Sequence, residues 1–517
     1  MFNKKNISLF IAATLMSTTL FNFIPAKASP LTQKDYNQPK TQKASEKLTI
    51  MIYADADNDL EPYILNDIKE MKRGYVDNPN LNLLVLVDRN GNYTSDTSTF
   101  GENFRDMRLY KIEDNKAIRV DGGSEFPEIT TTSNYEGNMG DAETLKKFIK
   151  FGKANYTADK YTLLMSNHGG GARERKKPTE INKAIAWDES NGDDTLYMGE
   201  ISDVLTHNES VDLLAFDACL MGNSEIAYQY RPGNGGFEAK YMVASSPNVW
   251  GYGFKYDKIF SRLQSGGGTN GETDLTLGGE EKYFDPSTIT TEELGALMIE
   301  EQRDSATRVT NQQLSLYDLS KVKSMKDSLD SLSKSLSINN EKDKVEALRG
   351  SGRNTSLIHY FKEADEFEWI YYPYFDIYDL AKQISLEQTF SEESKTAAKN
   401  LMTTIDDTVV YSFGQSRFNG KSIFEEGKNG LSIFLPDGNK IYEDNNLGSS
   451  TPHFKYQRWY HPLNTIDMKL RIPYGNLTWC RDGQDPQINK VGNWFELLDS
   501  WFDETNDATG GFNKYQW

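Results

Sequence analysis

The chain has 517 residues, enough for more than one domain-sized core, and a formal charge of −19 from 57 basic against 76 acidic residues. That balance argues against nucleic acid or an anionic membrane as a partner, and it draws cationic groups inward. Two cysteines, Cys219 and Cys480, are too few for a disulfide scaffold.

Residues 1–28 read as a signal peptide. Lys4 and Lys5 form the charged start, Ile7 to Ile24 the apolar stretch, and Ala26-Lys27-Ala28 the small-residue cleavage site. Ser8, Thr14, Ser17 and Asn22 dilute the stretch too far for a membrane anchor. Its removal leaves a charge of −22. No second apolar span of about 18 residues follows, and the end at Trp517 has no apolar tail. The expectation is a secreted, extracellular protein with no membrane partner after cleavage. Residues 29–47 are polar, contain Pro30 and Pro39, and read as a flexible leader or propeptide.

Order is expected from Leu48. The run Leu48 to Tyr53 predicts a strand, and Leu60, Ile64, Leu65, Ile68 and Met71 mark one face of a helix. A second strand spans Leu81 to Val87. Asp141 is placed to cap a helix that carries Leu145, Phe148 and Ile149. Apolar runs follow at Tyr161 to Asn167, Val211 to Phe216 and Tyr241 to Ser245. Helices are expected between them around Ile201 to Leu205 and Ser224 to Tyr230. This alternation predicts an α/β catalytic domain over 48–264, a doubly wound, mostly parallel sheet with helices on both faces. Residues 265–290 read as an acidic, Gly-rich loop. Residues 291–517 read as a mainly helical C-terminal region with added strands, one of them at Gly430 to Pro436.

Two of the apolar runs end in reactive residues. One stops at His168-Gly169-Gly170-Gly171, the other at Asp217-Ala218-Cys219. Strand carboxyl ends are where open α/β sheets bind ligands, so the two read as a thiol nucleophile with its base. A helix expected near Gly222 would favour the thiolate. The amides of Gly169 and Cys219 are the natural oxyanion donors. A Cys219–Cys480 bridge would consume that nucleophile, so both thiols are expected free. Alternation along the strand points Asp217 and Cys219 the same way, about 7 Å apart. Asp217 then reads as the floor of a pocket for a basic side chain, or alternatively as the group that orients His168. No metal site is legible. Asp55 to Asp59 has Leu60 and Asn66 where a calcium loop needs Gly and Glu, and His359, His453 and His461 lack ligand spacing.

Five segments carry a resemblance: Met139 to Leu145, Asn167-His168-Gly169, Ala186-Trp187-Asp188, Asp217 to Met221, and Gly430 to Phe434. They resemble the clostripain family of cysteine peptidases, and the likeness runs from about Leu48 to the C-terminus. His168 lies 51 residues before Cys219, a caspase-like spacing, although the caspase signature around the Cys is absent. The resemblance implies a caspase-like fold, a His168–Cys219 dyad, Asp217 as specificity acid, and protein or peptide substrates cut after Arg, with Lys second. It implies no organic cofactor and allows calcium with unassigned ligands. Some members draw a second S1 acid from the loop after the next strand, and Ser245 to Trp250 contains none. Relatives cut themselves between the His and the Cys. Arg173, Arg175, Lys176, Lys177 and Lys183 are the candidate self-cleavage points here, and the pieces are expected to stay associated. Two other readings are weaker. A preference for Asn or Asp at P1 is opposed by the acidic floor, and a non-catalytic secreted binding protein is opposed by the presence of both His168 and Cys219.

Overall fold

The computed structural model describes residues 46–172, 185–249, 251–264, 283–305, 312–350, 355–360, 373–415, 418, 420–436, 441–444, 449–452, 474–487 and 489–502. The signal peptide, nearly all of the leader, the basic cluster at 173–183 and most of the Gly-rich loop lie outside those residues.

Five strands form the parallel centre of a nine-stranded sheet. They are β1 (Leu48–Ala56), β2 (Leu81–Arg89), β5 (Lys160–Ser166), β8 (Val211–Asp217) and β9 (Ala239–Ala244), in spatial order β9-β8-β5-β1-β2. The near-continuous apolar runs are long because both faces of each strand are buried. Met51, Tyr53, Leu163, Leu214 and Phe216 point into one core, while Ile50, Ile52, Leu164, Leu213 and Ala215 point into the other. The first core is covered by helices that include Ala142–Asn155, Met198–Val204, Ser224–Gln229 and Val322–Ile338. The second is covered by the helices Glu61–Gly74, Tyr256–Ser261 and Thr291–Ser305. The doubly wound α/β expectation stands. Asp141 caps its helix as expected, its carboxylate accepting from the Glu143 amide at 2.9 Å.

Antiparallel strands flank this centre. β3 (Met107–Glu113) and β4 (Lys116–Arg119) extend it beyond β2, and β10 (Gln313–Asp318) and β12 (Val409–Gly414) extend it beyond β9. The sheet thus runs through the boundary expected near residue 265. Small two-stranded ribbons sit apart from it. One pairs β6 (Ile185–Asp188) with β7 (Asp194–Leu196), another β11 (Tyr374–Asp376) with β13 (Ser432–Phe434). Neither Cys219 nor Cys480 is in a disulfide, and Cys480 is fully buried. Among the described residues no helix is long and apolar enough to cross a membrane.

Candidate active site

The chain leaves β1 toward β2 on one side and returns to β5 on the other, so a crevice opens at the carboxyl ends of β1 and β5. Register places the key residues around it. Ser166 of β5 pairs with Asp217 of β8, so His168 and Cys219, each two residues further on, leave the sheet at the same level. The two loops touch: a β-carbon on Gly169 would collide with the Cys219 backbone, which explains the glycine. Together with the start of the Glu61–Gly74 helix and the loop after β9, they enclose a cavity of about 160 Å³. His168, Cys219 and Asp217 all line it, as do Tyr63, Asp67, Val249 and Gly253.

His168 is held from several directions. The Asn167 side chain donates to the Asp55 carbonyl at 2.6 Å and accepts from the Trp187 amide at 2.9 Å, which pins the strand end. The Trp187 ring lies 5.7 Å from the imidazole. His168 Nε2 is 2.6 Å from Asp59 Oδ1, so Asp59 brings a carboxylate within reach of the imidazole. Asp217 engages other groups. Its Oδ2 accepts from the Phe254 amide at 2.9 Å and from the Tyr256 hydroxyl at 2.8 Å. The Cys219 thiol, half-buried, donates to the Val249 carbonyl at 3.4 Å. The helix expected near Gly222 begins at Ser224 and has six residues. Asn223 caps it through the Ile226 amide at 2.9 Å, so its first turn is already partly satisfied internally. Gly169 forms an isolated bridge with Ile185.

The floor of the cavity is acidic in a way the sequence reading missed. Asp67, on the Glu61–Gly74 helix, lines the cavity and is 3% exposed. Burial first, and the Asp217 charge second, raise its carboxyl well above the ordinary range. Burial likewise pushes Asp217 up to about 6, against the opposing pull of the Phe254 amide, the Tyr256 hydroxyl and the Lys255 charge. The signal that could have revealed Asp67 is its place between Ile64 and Met71 on the apolar helix face.

A second acidic group gathers behind the site, where Asp55, Asp88 and Asp188 are all buried. Among the described residues, no three His, Cys, Asp or Glu side chains are arranged to hold a metal ion. Asp57, central to the segment weighed for calcium, is occupied by the Asn90 side chain and the Ser190 amide at 2.5 and 3.0 Å. The described residues offer no ligand set for the calcium that the resemblance allows.

The clostripain-family model matches residues 52–501. This chain belongs to the clostripain family. It is 57% identical to clostripain of Hathewaya histolytica across 99% of its own length and 100% of the relative's. Among solved structures, it resembles a secreted C11 cysteine protease from Bacteroides thetaiotaomicron bound to an irreversible peptide inhibitor. That match has a TM-score of 0.50 at 17% identity and covers 80% of this chain and 97% of the other. An inactive zymogen C11 protease from Parabacteroides distasonis gives 0.49 at 18% identity, over 76% and 93% of the two chains. At such identity the likeness to the Bacteroides thetaiotaomicron structure speaks for the fold alone, which is caspase-like. Family membership makes the chain a cysteine endopeptidase acting on proteins or peptides.

Proposed function

We propose that this clostripain-family enzyme is a secreted endopeptidase cleaving after Arg, and after Lys, with Cys219 as nucleophile and His168 as general base and acid. The observation that carries the specificity is Asp217 on the floor of the cavity whose rim holds both residues. A basic P1 side chain entering the cavity brings the cation that a buried carboxylate lacks, and its scissile carbonyl is then at the rim. Cys219 passes its proton to His168, and the thiolate adds to the carbonyl carbon. The resulting oxyanion is held by the amides of Gly169 and Cys219. Collapse of the adduct breaks the C–N bond, and His168 returns the proton to the departing amine. Water then attacks the thioester, giving up a proton to His168, and the thiolate leaves.

Asp217 serves binding in this scheme, because its hydrogen bonds go to Phe254 and Tyr256. The signal peptide of residues 1–28 accounts for export, in keeping with the secreted relative. Activation is self-cleavage at Arg173, Arg175, Lys176, Lys177 or Lys183, on the connection from His168 back toward β8. β5 and β8 are direct neighbours in the sheet, so the two pieces stay together after the cut. The test is a set of short peptides differing only at P1, assayed with the parent, Cys219→Ala and Asp217→Asn. Equal turnover of Arg, Lys and neutral P1 peptides by the parent would defeat the proposal.

A further inference from the structure

The cavity holds a polar atom that the scheme above does not use. Asp67 Oδ1 is buried and has no hydrogen-bond partner among the described residues. The same side chain faces Asp217 closely. A β-carbon placed on Gly253 would lie 2.7 Å from Asp217 Oδ2 and 2.8 Å from Asp67 Oδ2, so the two carboxylates are no further apart than those lengths end to end. Only glycine fits at position 253, because a β-carbon there would press on both carboxylates.

Two facing carboxylates in a desolvated cavity repel unless one takes up a proton or a cation comes between them. Asp217 has two donors of its own, and Lys255 offsets part of the pair's charge while Glu70 adds to it. The orphaned Asp67 oxygen still lacks a donor, and a ligand that supplies one removes a standing cost. The ligand must also bring donors to carboxylates on two different elements. An ammonium presents its three protons from a single nitrogen. A guanidinium presents five in a planar fork, suited to two acceptors at once.

We propose that Asp67 is the second carboxylate of the S1 pocket, and that it and Asp217 hold the P1 guanidinium between them and so set a preference for Arg over Lys. The inference rests on the reading of Asp217 as the S1 floor. It supplies from the Glu61–Gly74 helix an acid that the loop at 245–250 lacks.

The experiment compares Asp67→Asn with the parent on peptides that differ only in Arg or Lys at P1. Losing a charge-assisted contact should lower kcat/KM for Arg roughly 10- to 100-fold, and for Lys less than about threefold, so the Arg/Lys ratio collapses. Competitive inhibition by benzamidine should weaken by a similar factor, and inhibition by n-butylamine much less. Because Asp67 is unpaired, Asp67→Asn should melt no lower than the parent, whereas a purely structural residue would lower the midpoint. Asp67→Glu, which advances the charge by one methylene, should move the preference toward the shorter Lys. An unchanged Arg/Lys ratio in both variants, or equal losses on Arg and Lys, overturns the assignment while leaving Asp217 in place. A parent that cuts neutral-P1 peptides as fast as Arg peptides fails at the earlier step and removes the basic pocket itself.

Discussion

Asp217→Asn separates binding of the P1 side chain from the chemistry at Cys219. Asp217 is 5% exposed and accepts two hydrogen bonds through Oδ2. An asparagine carbonyl can keep both, so the Phe254 loop and the Tyr256 ring should stay in place. What is lost is the charge facing the cavity. A P1 cation brought into that site without its counter-ion costs about 3–5 kcal/mol, roughly a few hundred- to a few thousand-fold in kcat/KM for Arg peptides. Stability should move the other way. Raising the Asp217 carboxyl from 3.8 to about 6 means that the fold tolerates the protonated form better. The resulting penalty is absent below pH 3.8, grows as pH rises through that interval, and is complete above about 6, where it amounts to about 3 kcal/mol. Asparagine does not incur it, so the variant should melt at or above the parent at neutral pH. The assay pairs kcat/KM on Arg and neutral P1 peptides with the rate of thiol alkylation by iodoacetamide. An equal drop on both peptides together with slowed alkylation would refute the reasoning, because Asp217 would then be acting on the dyad.

Cys219→Ala and His168→Ala should fold and show no peptidase activity, while Cys480→Ser, whose thiol is free and fully buried, should stay active. As pH falls through about 6, kcat/KM for Arg peptides should drop more steeply than the iodoacetamide rate, since protonating the Asp217 site removes the counter-ion as well. Parallel profiles would count against an S1 carboxylate titrating there. Asp59→Asn removes the carboxylate charge 2.6 Å from His168 Nε2, yet the Asp59 side chain is 56% exposed. An exposed pair is worth little, so activity should fall by less than about tenfold, and a loss of about a thousandfold would make Asp59 an essential orienting group. Purified protein should separate under denaturation into a light N-terminal piece of about 15–18 kDa and a heavier C-terminal one, while Cys219→Ala stays whole. N-terminal sequencing of the heavy piece identifies the cut, and a terminus following a non-basic residue would remove the self-activation proposal.

The parallel centre of the sheet was legible because burial on both faces writes each strand as an apolar run. β1, β5 and β8 are marked in that way, and the ends of β5 and β8 point directly to His168 and Cys219. The antiparallel flank was not. In β10, Gln313 and Ser315 alternate with Leu314 and Leu316, and the polar pair is nonetheless buried. Ser315 Oγ reaches the Gly430 carbonyl at 3.2 Å, and Gln313 receives the Ser246 amide at 2.7 Å. Loops distant in the chain thus satisfy side chains that looked solvent-facing in isolation. The same distance hid the role of Gly430, whose carbonyl also accepts from Tyr317 at 2.5 Å.

Asp67 was hidden for a different reason. In the Glu61–Gly74 helix the buried positions Ile64, Ile68 and Met71 recur at helical spacing, and Asp67 falls among them. Read as a stripe, the pattern absorbs one acid as an interruption, because an amphipathic helix tolerates a charge at its margin. Desolvation makes such a position costly when nothing pairs with the charge. Among the described residues Asp67 has no compensating donor on Oδ1, although an apolar side chain would have suited the same face. An acid kept at a core position without a partner is therefore informative in a way that a surface acid is not. A proton lowers that cost in the empty cavity, and a cation arriving from outside can take the proton's place where Asp67 and Asp217 both line the wall.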